Sequence, residues 1–374
     1  MDLMQSQLLD FKKATDLKQK NSDVELSSNI DLYIDELFDI EYPAKKDTKT
    51  PEEVLDFKQA LVGTIPASWG VWVYYPWLKL CLQIPPKKEL RMLRTSRNRN
   101  LITAEEQSKL YASTVFVAGM SVGSNVVEAM VSQGIGSRFI LADMDVIEPS
   151  NLNRIRSPLH HVGLHKVDAI SRKVWEMDPY IEIVALTEGV NQQNIEDVFS
   201  QEQIDIVIDE MDNLGMKIAL REKAKEKSLP VIMAADDGDD SLVDVERYDL
   251  KPELEIFDGL IPQEILSKIK QGNISRKELG IMIGRYFVGP EYTPLRMFES
   301  LGEIGKTLPS WPQLGGAAAL SGVALAYIAK KIILGQAVNE GRTLISLDQK
   351  LTTINSEEQS KLDAMRDKMM GGSL

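Results

Sequence analysis

Between residues 114 and 234, short, mostly apolar runs alternate with segments of helical pattern, and this alternation leaves few folds open to the chain. The runs are 114–118, 138–142, 181–186, 204–208 and 231–234. A strand that is apolar at successive positions is buried on both faces, as in a parallel sheet covered by helices on either side. Helical segments at about 123–132, 166–177, 192–200 and 214–227 supply that cover. The expected fold class is therefore α/β: a doubly wound, mostly parallel, Rossmann-like sheet that binds a nucleotide at the carboxyl ends of its strands. Residues 242–250 read as an antiparallel C-terminal addition, 314–334 as a buried helix and 343–347 as an edge strand.

Three segments follow from this frame. Residues 1–90 form a smaller N-terminal α/β extension, helical at 5–20 and 51–61, with an aromatic strand containing Trp69, Trp72, Tyr74, Tyr75 and Trp77. Residues 91–355 form the nucleotide-binding domain, and 356–374 a charged tail, helical or frayed. Forty-three Lys and Arg against 56 Asp and Glu give a net charge of -13, which argues against DNA and anionic lipid as partners. The apolar run 317–329, about 13 residues, is shorter than the ~20 needed to span a bilayer. No membrane partner is expected. The first residues lack the basic start of a signal peptide, so the expected location is cytoplasmic. Cys81 is the single cysteine, which rules out an internal disulfide, a cysteine-based zinc site and a redox pair within the chain.

The first run passes through Gly119, Ser121, Gly123 and Ser124 into a helix. A glycine at such a turn lets backbone approach a phosphate, and free N–H groups at the helix start attract its charge. Ser121 and Ser124 stand where the dinucleotide fingerprint has glycines, so the loop by itself is weak. Asp143 ends the second run, where an acid accepts hydrogen bonds from ribose; NAD and ATP fit equally. Asp145, Ser150, Asn151 and Arg154 follow, then Lys166 at a helix start, then Asp209, Asp212 and Asn213 after the fourth run. Hydride transfer has no use for Arg, Lys and a further Asp at the phosphate end. Nucleotidyl transfer does, because attack on an α-phosphate builds negative charge that Arg and Lys stabilise while Asp holds Mg²⁺. Taken singly, Lys166 reads as a surface lysine and Asn213 as a helix N-cap. The ordered set carries the argument.

That order of motifs over about residues 91–250 resembles the ThiF/MoeB-type adenylyltransferases, relatives of the ubiquitin-activating enzymes. The resemblance implies a ThiF-like ATP-binding adenylation domain over 91–355, with ATP and Mg²⁺ as cofactors. By it, Gly119, Ser121 and Gly123 line the phosphate loop, Asp143 holds the ribose with Asp145 beside it, and Ser150, Asn151, Arg154 and Lys166 reach the triphosphate. Asp212, with Asn213 beside it, coordinates the metal. Arg97 or Arg99 resembles the family's arginine that reaches the neighbouring subunit's γ-phosphate, so a homodimer is implied. The loop is one residue shorter than the family's, and neither the thioester cysteine nor the zinc cysteines occur between residues 82 and 374. This matches a subgroup lacking both, and chemistry that stops at the adenylate.

The function expected is adenylation of a carboxylate or similar oxygen nucleophile with release of pyrophosphate and no thioester. The substrate is the C-terminus of a small ubiquitin-like protein or a small-molecule carboxylate. A tRNA base is the weaker option, kept open by seven basic residues between Lys79 and Arg99. The alternatives are a non-catalytic nucleotide sensor or scaffold and, further off, an NAD-dependent oxidoreductase. His160, His161 and His165 read as loop-surface residues, Asp236 to Asp240 as a solvated acidic loop, and Gly371 and Gly372 as tail despite a faint likeness to the diglycine end of ubiquitin-like proteins.

Overall fold

The computed structural model describes residues 5–63, 65–201, 203–272, 274, 276–353 and 356–370; Gly371 and Gly372 lie outside them. The chain forms two compact units, the first running to Tyr111 and including Val131–Ile135 and Ser171–Ile181, the second holding the rest.

The first unit is built on a four-stranded sheet of β1 (Gln7–Leu9), β2 (Glu25–Ser28), β3 (Val71–Tyr75) and β4 (Leu80–Ile84), in the order β1-β3-β4-β2. The helix expected over 5–20 is corrected here. A strand comes first, and the helix Phe11–Lys20 starts only where Asp10 caps it by accepting from the Lys13 N–H at 2.8 Å. Helix Pro51–Val62 starts behind a Thr50/Glu53 capping box, as Pro51, Glu52 and Glu53 foretell. Ala14, Leu17, Val24, Trp72, Tyr74 and Cys81 form a common core. Cys81 is fully buried and its thiol is pushed up to about 12 by burial, which leaves it a small apolar side chain. In the same unit Arg94 donates to buried Asp178 at 2.7 Å and Tyr75 Oη to the Trp175 carbonyl at 3.0 Å, so part of the basic stretch is structural.

The second unit carries the doubly wound sheet. Its strands are β5 (Thr114–Ala118), β6 (Arg138–Ala142), β7 (Glu182–Leu186), β8 (Ile206–Asp209), β9 (Pro230–Asp237), β10 (Asp240–Arg247) and β11 (Gly341–Ile345), in the order β11-β10-β9-β8-β5-β6-β7. The five from β5 to β9 are parallel, and β10 and β11 pair antiparallel. Val115, Phe116, Val117 and Ala118 are fully buried, as their unbroken apolar run requires. Helix Gly315–Ile333 packs on β9 and β10, and its Ala318, Leu325 and Ala326 are fully buried. It is long and apolar enough to cross a bilayer, yet half of that stretch is buried in the protein. Its glycines explain the close fit: a Cβ at Gly315 would lie 2.2 Å from the Asn153 carbonyl oxygen, and one at Gly322 2.7 Å from the Asn125 backbone. Strand order reverses between β5 and β8, which makes the carboxyl ends there the natural binding crevice. Helix Ser356–Met370 buries Leu362 and Met369 against Phe298.

Candidate nucleotide-binding site

The β5 strand ends in Gly119, whose φ of +94° is a left-handed conformation, and a Cβ there would stand 2.3 Å from the Glu210 carbonyl oxygen. Only glycine fits. Its N–H donates to the Ala142 carbonyl at 2.7 Å, tying the turn to β6. Helix Val122–Ser132 follows at once. Gly123 packs it closely on β5, since a Cβ would come to 3.0 Å of Val117 Cγ1. Asp143 accepts from the Met120 N–H at 2.7 Å through Oδ2 and from the Asp145 N–H at 2.8 Å through Oδ1. The carboxylate thus pins the loop after Gly119 to the end of β6, a structural role the sequence pattern does not reveal. Each oxygen keeps a lone pair for a further donor.

Lys166, 9% exposed, donates to Asp145 Oδ2 at 2.8 Å, and its Nζ lies 3.7 Å from Asp143 Oδ2. Arg154 is anchored by Nε on Ser121 Oγ at 3.0 Å and by Nη1 on Asn153 Oδ1 at 3.0 Å, with the Ser150 carbonyl at 3.4 Å. Ser121, which stands in place of a loop glycine, is therefore the link between phosphate loop and arginine. Asn151 is buried and its Oδ1 accepts from the Glu148 N–H at 3.0 Å, which closes the short turn Pro149–Asn153. Gly119, Ser121, Asp143, Asp145, Ser150, Asn151, Arg154 and Lys166 thus share one end of the sheet.

The loop after β8 brings Asp212 to the surface, with no hydrogen bond or ion pair from the described residues. Asn213 behaves as a cap, its Oδ1 accepting from the Met216 N–H at 3.0 Å at the head of helix Leu214–Glu226. Asn213→Ala is accordingly expected to lower stability by about 1 kcal/mol with nucleotide affinity within twofold, read by thermal unfolding and ATP titration; a loss of affinity larger than that makes Asn213 a ligand instead. Arg97 is exposed and belongs, with Arg99, to the first unit. His160 and His161 are stacked edge to face on the loop before Lys166, with His161 Nδ1 3.0 Å from Ser157 Oγ.

The sequence names Asp209, but the buried ion-pair network that holds it escaped sequence reasoning. Asp209 is fully buried and held below the usual carboxylate range, against its burial, by Lys217 and Arg221. Fully buried Arg221 also donates from Nε to Glu246 Oε1 at 2.7 Å and lies with its guanidinium carbon 4.0 Å from the Phe257 ring centroid. A buried Arg demands such partners, and only the fold brings them together. Glu210 accepts from the Ala234 N–H at 2.8 Å, and burial pushes its carboxyl well above the usual range.

The acidic run is the clearest correction. Asp236, Asp237 and Asp240 are 8%, 1% and 8% exposed, not a solvated loop, because β9 and β10 continue pairing to Asp237 and Asp240 and only Gly238 and Asp239 turn the hairpin. Asp236 Oδ1 accepts from Ser321 Oγ at 2.7 Å, and Ser321 in turn lies 2.8 Å from Ser241 Oγ. Burial pushes the Asp236 carboxyl up to about 6, while the Ser321 hydrogen bond and the charge of Arg154 pull it down.

The ThiF family profile matches residues 95–361. The chain is 33% identical over 284 residues to an uncharacterized protein of Mycobacterium tuberculosis (strain CDC 1551 / Oshkosh), covering 76% of this chain and 39% of that protein, so it spans well under half of that relative's length. It is 29% identical over 183 residues to tRNA threonylcarbamoyladenosine dehydratase of Bacillus subtilis (strain 168), covering 48% of this chain and 70% of the relative. Among solved structures, E. coli tRNA N6-threonylcarbamoyladenosine dehydratase superposes with a TM-score of 0.46 at 19% identity, covering 65% of this chain and 95% of that one.

Proposed function

The chain belongs to the ThiF family, and on that premise we propose that it is an ATP- and Mg²⁺-dependent adenylyltransferase that activates a carboxylate, or a similar oxygen nucleophile, as its adenylate. The observation that carries this reading is the meeting of Arg154, Ser121, Asp143 and Lys166 around the Gly119 turn. One carboxylate oxygen of the substrate attacks Pα, the bond from Pα to the bridging oxygen breaks, and pyrophosphate leaves with that electron pair. Charge grows on the phosphoryl oxygens as this happens. Arg154 and Lys166 are the cations placed to meet it. Asp143 orients the ribose.

Mg²⁺ fits the acids present: it binds through one or two carboxylates plus phosphate oxygens, and exposed Asp212 offers an unpaired one. When bound, the ion neutralises charge on the phosphates. The adenylate is the end product for this chain, since its single cysteine is buried in the first unit with a thiol that stays protonated. Transfer to a thioester needs a thiolate. The reading extends to a cytoplasmic homodimer in which Arg97 or Arg99 serves the partner's triphosphate. As substrate it favours the C-terminus of a small ubiquitin-like protein or a small-molecule acid over a tRNA base, given the net charge of -13.

Titration calorimetry is expected to show ATP·Mg²⁺ binding at least roughly tenfold tighter than NAD, and pyrophosphate exchange into ATP when the right acid is present. Preference for NAD overturns the reading. Tight ATP binding without exchange across ubiquitin-like proteins and small acids favours a nucleotide sensor instead.

A further inference from the structure

Asp236 is the penultimate residue of β9, and β9 runs parallel to β8, so its carboxyl end opens on the same side of the sheet as Gly119 and Asp209. The strand order β9-β8-β5-β6 places the Asp143 loop over β5 and β6, and leaves the ends of β8 and β9 for the second substrate. That half of the crevice carries two acids: Glu210 follows β8, Asp236 lies one residue before the end of β9, and the charge of Asp236 adds to the burial that raises the Glu210 carboxyl. An acidic floor disfavours a bare carboxylate substrate unless the same molecule brings a hydrogen-bond donor or a positive charge.

Asp236 is built to receive one. Ser321 fixes Oδ1 at 2.7 Å, whereas buried Oδ2 has no hydrogen-bond partner among the described residues. A buried acceptor left open is costly and asks for an explanation. Arg154, the charge that acts on this carboxylate, is committed through Nε to Ser121 of the phosphate loop. A nucleotide phosphate drawing on the remaining guanidinium N–H groups takes that neutralisation from Asp236, so the carboxylate gains most from a donor arriving with the acyl substrate.

We propose that Asp236 binds a nitrogen of the acyl substrate, an ammonium or a peptide N–H close to the carboxyl group, and so selects amino acids or peptide C-termini over simple acids. This rests on the adenylation reading above. The probes are three non-hydrolysable acyl-adenylate analogues: glycyl-, N-acetylglycyl- and propionyl-sulfamoyl adenosine, the first and last differing only by ammonium against methyl. Full-length protein is expected to bind at least one nitrogen-bearing analogue about tenfold or more tighter than the propionyl one, and the preferred one tells ammonium from peptide N–H. In Asp236→Asn the Ser321 hydroxyl keeps the amide oxygen on its own side and turns the NH₂ toward the substrate, so the preference should fall to within about twofold; Asp236→Ser should lose it as well. The ratio between analogues cancels any change in nucleotide affinity. Equal wild-type affinity for all three, or a preference that persists in both variants, overturns the proposal and leaves adenylation standing. Failure to bind ATP and every analogue removes the adenylation reading itself.

Discussion

Arg154→Ala is expected to weaken ATP·Mg²⁺ binding roughly tenfold to a hundredfold in calorimetry while shifting the melting temperature by only a few degrees. A hydrogen bond to a charged group contributes about 1.5–3 kcal/mol, and each 1.4 kcal/mol is about a factor of ten in affinity. The guanidinium is partly exposed, and two of its side-chain contacts are to Ser121 and Asn153, which regain water when it is removed. The fold loses little. The Asn125 side chain bonds to the Arg154 main-chain carbonyl at 3.1 Å, so that link to helix Val122–Ser132 survives truncation. Arg154→Lys is expected to recover only part of the affinity, because an ammonium cannot hold Ser121 and a phosphate oxygen in one planar fork. Asp212→Ala should remove the difference between titrations with and without Mg²⁺ and leave the metal-free affinity near wild type. ATP affinity fully retained in both alanine variants would falsify the site.

The parts of this site legible in the sequence share one property: local chemistry dictates them. After their first residues, Thr114 and Arg138, the β5 and β6 runs are apolar throughout because both faces are covered, and the glycine after β5 is forced by a φ of +94°. Lys166 and Asn213 sit at helix starts that the residue pattern itself marks. What stayed hidden depends on partners far along the chain. Strand β1 is three residues flanked by polar ones, held by pairing with β3 more than sixty residues away, and no helical or strand period announces it. Arg221 looks like an ordinary lysine-rich helix residue until Asp209 and Glu246 close on it. Asp236 and Asp237 carry the composition of a solvated turn. Their burial comes from β10 across the hairpin and, for Asp236, from Ser321 on helix Gly315–Ile333. Acidic residues at the carboxyl end of a parallel strand were nonetheless a signal, because that is where a doubly wound sheet places its ligands.

Asp237 sets the second large effect, on stability. It lies directly opposite Asp240 in the β9–β10 ladder, the two acids share a face, and neither Asp237 oxygen has a hydrogen-bond donor among the described residues. The Thr293 hydroxyl beside it gives its own proton to the Gly289 carbonyl at 3.1 Å. Burial, with the charge of Asp240 adding to it, raises the Asp237 carboxyl from 3.8 to about 7. A carboxyl raised on folding keeps its proton in the native state where the unfolded chain has released it, so stability falls as pH rises between about 4 and 7 and the loss is complete above 7. At about 1.4 kcal/mol per pH unit this is an upper bound of roughly 4 kcal/mol. Asp236, pushed up to about 6, adds a loss of the same sign. Other carboxylates that are paired on folding act in the opposite sense, which makes the variant-minus-wild-type difference the quantity to measure. Asp237→Asn carries no titrating proton, and its amide can donate to the open Oδ1 of Asp240. Its thermal midpoint is expected to match wild type near pH 4.5 and to exceed it by several degrees at pH 8. A difference that does not grow with pH, or an asparagine variant less stable than wild type at pH 8, rules out a protonated Asp237 in the fold.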